Sequence, residues 1–150
     1  MAYEYEVNVF WQGGRRTLAQ SPEIPEDITV STPSQFPGGE KDIWSPEHLF
    51  TAAVSSCYMT TFLALAEKAR LQLVNFQVAS KGTIRQTEDG LAITEVLLEP
   101  VITLSDEKET DKAERTALKA HALCLVTNSI KAKVTLMCSI EVKSKAAQLA

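Results

Sequence analysis

From Pro46 to about Leu71 the chain contains no glycine and no internal proline, and from Leu49 to Ala66 it is apolar on nearly every side of a helical wheel. Phe50, Ala53, Val54, Cys57, Tyr58, Phe62 and Leu65 point in all directions, and the polar positions among them are mostly Ser and Thr. A helix that is apolar all round needs cover all round, so this segment predicts a buried central helix. Its start is well marked. Ser45 can accept from orphan amides, Pro46 suits the first helical position, and Glu47 complements the positive end of the helix dipole. Ala52, Ala53, Ser55 and Ser56 are small enough to let another helix approach closely.

The remaining segments must supply that cover. Tyr3 to Trp11 alternates with a period of two and predicts a strand with one buried face. Gly13-Gly14 predicts a turn, Arg15 to Leu18 a return strand, and Ile28 to Ser31 a further strand broken off by Pro33. Ser34 to Asp42 reads as a loop. After the helix, two β-prone runs, Leu73 to Arg85 and Leu91 to Leu104, are joined by Thr87-Glu88-Asp89-Gly90, a hairpin signal; Pro100 predicts an edge or a bulge. Ser105-Asp106-Glu107 opens a second helix, expected to reach about Asn128. Lys133 to Val142 reads as one last strand with Val134, Leu136, Cys138, Ile140 and Val142 on its buried face, and the tail from Lys143 is expected to fray. Strands, helix, hairpin, helix and strand in that order make an α+β fold, an antiparallel sheet covered by two long helices.

A chain of 150 residues fits a single domain, here 1–150, and can bury a sizeable core without staples. Fifteen Lys and Arg against nineteen Asp and Glu give a net charge of −4, interspersed along the chain, which argues against a nucleic-acid partner. Met1 to Val9 carries Glu4 and Glu6 and lacks a signal-peptide pattern, and no run reaches the roughly 20 uninterrupted apolar residues of a membrane span. The expected location is cytoplasmic, where thiols stay reduced, with no membrane partner. Three cysteines, Cys57, Cys124 and Cys138, are then free to react.

Cys57 falls about twelve residues beyond Ser45, roughly 18 Å from the helix start, too far for the dipole to activate it. Burial would raise its pKa, so activation calls for a cation, and Arg15 and Arg16 on their turn are the candidates; otherwise Cys57 fills a core gap. Cys124, in the last turns of the second helix, is a poor first nucleophile at the negative end of a dipole but an adequate attacker of an oxidised sulfur; packing is the other reading. Cys138 is assigned to the core. Glu47 either complements the dipole or orients the arginine, although about 15 Å of unbroken helix separates it from Cys57. One arginine reaches both only if the helix begins later or a second subunit contributes. His48 and His121 are the only histidines, no zinc-ligand spacing occurs, and hydrolase elbows and phosphate-binding loops are absent, so no cofactor or metal is implied.

Ser45-Pro46-Glu47-His48-Leu49-Phe50, Ser55-Ser56-Cys57 in a long apolar helix, and Cys124 followed by Thr127-Asn128-Ser129, with the Phe36-Pro37-Gly38-Gly39 loop upstream, resemble the OsmC/Ohr family of osmotically inducible and organic hydroperoxide resistance proteins. Leu125, where proline is common, and Tyr58, where phenylalanine is frequent, together with Thr60-Thr61-Phe62, look more like the OsmC-like branch than like Ohr itself. The resemblance implies an intertwined α+β homodimer with sites at the subunit interface. It implies a thiol peroxidase of organic (alkyl or lipid) hydroperoxides, in which Cys57 becomes a sulfenic acid and Cys124 resolves it to a disulfide. An external dithiol such as a lipoylated protein would reduce that disulfide. Glu47 maps onto the family's glutamate, and Arg15 or Arg16 onto its arginine. A non-catalytic dimeric binder of a small apolar ligand, or a redox sensor, are the alternative readings.

Overall fold

The computed structural model describes residues 1–143, so the tail expected to fray from Lys143 lies almost wholly outside the described residues. The chain forms two compact units, Met1–Phe50 and a second beginning at Thr51. In the first, strands β1 (Asn8–Trp11), β2 (Arg16–Ser21) and β3 (Ile24–Ser31) make an antiparallel sheet in the order β1-β2-β3. Beyond β3, parallel bridges Val30 to Trp44 and Pro33 to Glu40 hold the Pro- and Gly-rich loop against the strand end.

The expected Tyr3 to Trp11 strand is shorter than its pattern, and its buried face is corrected. Only Asn8–Trp11 pairs, and every residue of β1 is exposed, with Trp11 77% and Tyr5 84% accessible. β1 is an edge strand with no layer of the described residues over it, so the alternation is there but its cover is not.

Helix α1 (Pro46–Lys68) starts where Ser45 predicts. The His48 N–H donates to Ser45 Oγ at 3.2 Å while the Ser45 N–H donates to His48 Nδ1 at 3.2 Å, a reciprocal cap in which histidine replaces the usual Glu or Gln. It ends in a Schellman motif: Leu71 N–H donates to Ala66 O, Arg70 N–H to Glu67 O, and Arg70 itself takes φ of +55°. Along the helix only Val54, Tyr58, Phe62 and Ala66 are buried, a stripe one residue wide at a spacing of four. The centrally buried helix read from the sequence is therefore covered on one face only. By length and composition α1 also meets the standard of a membrane span, because Ser and Thr interrupt its apolar runs without making it polar; 22% of its most apolar stretch is buried within the chain.

That one face lies on the second unit's sheet. β4 (Leu73–Thr87) and β5 (Gly90–Leu104) form a long antiparallel hairpin whose two-residue loop is followed by Gly90 at φ +110°. Phe62 packs on Phe76 of β4 with ring centroids 4.4 Å apart, and the Tyr58 hydroxyl donates to Ala117 O at 3.4 Å on helix α2 (Thr110–Leu123). Val96, Leu98, Pro100, Ile102 and Leu104 alternate into the same core, as do Ala113, Ala117 and Ala120 of α2.

After the α2 crossover the chain returns parallel to β5, so this sheet is mixed, and the single strand expected from Lys133 to Val142 is two: β6 (Lys133–Leu136) and β7 (Ser139–Val142). Pro100 explains the break. Leu98 O accepts from Met137 N–H and Leu104 O from Lys143 N–H, so even-numbered residues of β5 direct their backbone toward β6 and β7; at Pro100 there is no N–H to give. The expected irregularity thus sits in a central strand and is absorbed by its neighbour. Met137 and Cys138 are the two unpaired residues between β6 and β7, facing Glu99 and Pro100 in an otherwise continuous register; Cys138 is exposed, which corrects its assignment to the core.

Two substitutions test this packing. Phe62→Ala should cost about 3–5 kcal/mol in urea unfolding. Arg70→Gly, which relieves a left-handed residue, should stabilise by about 0.5–1 kcal/mol.

Candidate functional site

α2 stops at Leu123. Its C-cap, Cys124, has φ −61° and ψ 113°, which turns the chain out of the helix before a 3-10 turn at Thr127–Ser129. The helix expected to run to Asn128 is therefore shorter by a turn, and Asn128 does part of the stopping: its Nδ2 donates to Ala122 O at 3.0 Å and its N–H to Cys124 O at 3.0 Å. Ser129 Oγ closes the turn on Leu125 O at 2.7 Å.

This turn meets the Cys57 face of α1. Burial pushes the Cys57 thiol up, but the Val126 N–H, the Cys124 thiol, the Thr61 hydroxyl and the Leu125 N–H all donate to its sulfur, and the net displacement is below the ordinary thiol value. Cys57 is partly accessible and Cys124 is buried. The two thiols, placed in different helices by the sequence, are thus brought together, and Cys124 stands as a hydrogen-bond donor to the sulfur it is expected to resolve. Sequence reasoning calls for a cation and overlooks the backbone. Thr61 is legible in principle as the residue one turn beyond Cys57, whereas the two amides carry no side-chain signal.

Burial, and then negative charge at Cys138 or Cys124, raises the Tyr58 phenol, so it stays neutral. Although the residue is exposed, partial desolvation of its sulfur and then Glu114 push the Cys138 thiol up. Flanking Cys124, His121 Nδ1 and Thr127 Oγ1 are buried with no hydrogen-bond partner among the described residues.

The other expected residues lie in the first unit. Arg15 is in the turn between β1 and β2, and Arg16 is the first residue of β2. Arg16 forms an ion pair with Glu40, which also accepts from Ser31 Oγ at 2.9 Å. The hydrogen bond from Arg16 and then that from Ser31 hold the Glu40 carboxyl below its ordinary value. Arg15 makes no ion pair among the described residues; its stem lies over Gly38, where an added Cβ would come within 3.1 Å of its Cγ and Nε. Gly38 also has φ +78°, so only glycine fits there without strain. Glu47 is half-buried in the first turn of α1. Because α1 begins at Pro46 and runs unbroken, the alternative of a later helix start is removed.

The lowered Cys57 value fixes a sign. The folded chain favours the thiolate, a contribution present above the ordinary thiol range and lost as pH falls through the lowered value. In a Cys124→Ser, Cys138→Ser chain, where the first of the two serines keeps a hydroxyl donor, iodoacetamide alkylation of Cys57 should reach half-maximum at a lower pH than that of the same chain unfolded in urea. Thr61→Val should move that midpoint upward; a midpoint unmoved by the loss of the hydroxyl would contradict its role.

Residues 38–139 match the model of the OsmC-like protein family. The uncharacterized protein YmaD of Bacillus subtilis is 21% identical over 144 residues, covering 94% of this chain and 95% of its own. Among solved structures, an OsmC-like protein of unknown function from Vibrio cholerae superposes with a TM-score of 0.82 at 23% identity, covering 91% of this chain and 99% of that one. An organic hydroperoxide resistance protein from Elizabethkingia anophelis, with thiocyanate bound, gives 0.75 at 23% identity, covering 95% and 99%. The fold and the extent of the family match agree with the resemblance read from the cysteine motifs, and the chain belongs to the OsmC-like protein family.

Proposed function

We propose that the chain is a cysteine-based reductase of organic hydroperoxides. The observation that carries this reading is the Cys124 thiol donating to a Cys57 sulfur already favoured as thiolate by two backbone amides and a hydroxyl. In the reaction, the Cys57 thiolate attacks the outer oxygen of the hydroperoxide. The O–O bond breaks, the alkoxide leaves and takes a proton to become the alcohol, and Cys57 becomes a sulfenic acid. Cys124 then attacks that sulfur, water departs, and a Cys57–Cys124 disulfide remains; an external dithiol, such as a lipoyl group, takes the oxidation and restores both thiols. No bound cofactor takes part. The name of the Elizabethkingia relative supports this substrate class.

Arg15 is the proposed arginine for the departing alkoxide, because Glu40 already engages Arg16. Glu47 is the proposed carboxylate that orients it. The reading includes a homodimer in the cytoplasm. Its support is the uncovered apolar surface: the faces of α1 outside its narrow stripe, and Tyr5, Val9 and Trp11 at 84%, 62% and 77% exposure. A second copy would cover these and could bring an arginine and glutamate to the cysteine pair.

Cumene hydroperoxide consumption with dihydrolipoamide tests the chemistry. Cys57→Ser and Arg15→Ala should abolish turnover, whereas Arg16→Ala should retain most of it. One equivalent of peroxide should produce a Cys57–Cys124 disulfide by mass spectrometry; intact thiols would favour a non-catalytic binder, and fast oxidation with slow turnover a sensor. Leu63→Glu, on an exposed position of α1, should convert a dimer to monomer in sedimentation if the helix is an interface.

A further inference from the structure

The amides that serve Cys57 are available only because α2 does not use them. In a continuing α-helix the Val126 N–H would donate to Ala122 O and the Leu125 N–H to His121 O. Helix ends leave such carbonyls without intrahelical donors, and something must satisfy them. Here the Ala122 carbonyl, left open where Cys124 turns outward, is taken by the Asn128 side chain at 3.0 Å. Asn128 occupies the acceptor that would otherwise draw the Val126 amide back into the helix, and its own N–H ties the turn to Cys124 O.

We propose that Asn128 is a positioning residue for the cysteine site: by capping Ala122 O it keeps the Cys124–Val126 turn out of the helix and its backbone N–H groups aimed at the Cys57 sulfur. The inference deepens the peroxidase reading, yet it concerns the resting thiol and holds whether or not peroxide is the substrate. Asn128 touches neither sulfur. It acts through a carbonyl two residues before Cys124, on the outer side of the turn, where both Asn128 and Ala122 are exposed. Ser129 offers an internal control, since it closes the same turn through Leu125 O without touching Ala122.

The groups that bear on the Cys57 charge are few. Cys124 faces it from the turn and Thr61 from its own helix; Tyr58, next along the helix, is raised by burial and by Cys138 and Cys124, and the Cys138 thiol is itself pushed up. A Cys124→Ser, Cys138→Ser chain therefore reports Cys57 alone, by the ultraviolet absorbance of the thiolate and by alkylation rate against pH. Asn128→Asp keeps the shape but presents oxygen to oxygen at Ala122. It should raise the Cys57 midpoint by about one pH unit and slow alkylation at neutral pH roughly tenfold. Asn128→Ala, which leaves the carbonyl to water, should do the same in smaller measure and serves if the aspartate variant does not fold. Ser129→Ala should leave the midpoint in place, and Asn128→Gln, which restores a donor, should recover part of the loss. A midpoint unchanged in both Asn128→Asp and Asn128→Ala would overturn the proposal, as would an equal shift in Ser129→Ala, which would assign the effect to turn stability. Absence of peroxide turnover with these thiol shifts intact would instead count against the peroxidase reading alone.

Discussion

The contact on which the second unit depends is the seating of Tyr58 and Phe62 of α1 against Phe76 of β4 and the Ala117 carbonyl of α2. Cys57 precedes Tyr58 by one residue, so the rotation of the helix that buries the ring also decides where the sulfur points. A helix whose apolar surface extends all round could be set down in many rotations with similar hydrophobic gain. One aromatic stripe and a single hydroxyl-to-carbonyl bond choose among them. The hydroxyl is the more selective of the two, because a buried phenol without an acceptor would cost more than the bond contributes.

Given that rotation, the chemistry follows from a failure of helix α2 to continue. Thiolates are commonly favoured by cations or by helix N-termini, and Cys57 sits mid-helix with neither in its own unit's hydrogen-bond set. What it has is the outward turn after a helix C-terminus, where amides released from the i−4 ladder can serve an anion much as the first turn of a helix does. The end of α2, which its dipole makes unfavourable to anions along the axis, thus becomes favourable at one spot beside it.

Much of this is legible in the residues. Ser45-Pro46 marks the start of α1, the Asp-Gly pair marks the hairpin, and the cysteine motifs identify both the fold and the two sulfurs that meet. The sequence misleads wherever a pattern depends on cover that lies elsewhere. Tyr3, Tyr5 and Trp11 alternate as a buried strand does, but periodicity does not say whose core the face enters, and the described residues supply none. Cys138 is in phase with Val134 and Leu136, but phase alone does not give burial: Cys138 falls in the unpaired gap between β6 and β7, where Pro100 across from it has no N–H to give to the ladder. Leu125 and Val126 read as plain aliphatic residues because their contribution is made by atoms that every residue but proline has.

The split opposite Pro100 also divides how the sheet can open. A single strand running from Lys133 to Val142 would detach as one cooperative ladder. Instead β6 is held by four register pairs and β7 by another four, with two unpaired residues between them facing Glu99 and Pro100. Short ladders open at low local cost, so β7 can separate from β5 while β6 stays paired. The far edge of this sheet is therefore built as two latches rather than one hinge, and the proline that removes a hydrogen bond is what makes them independent.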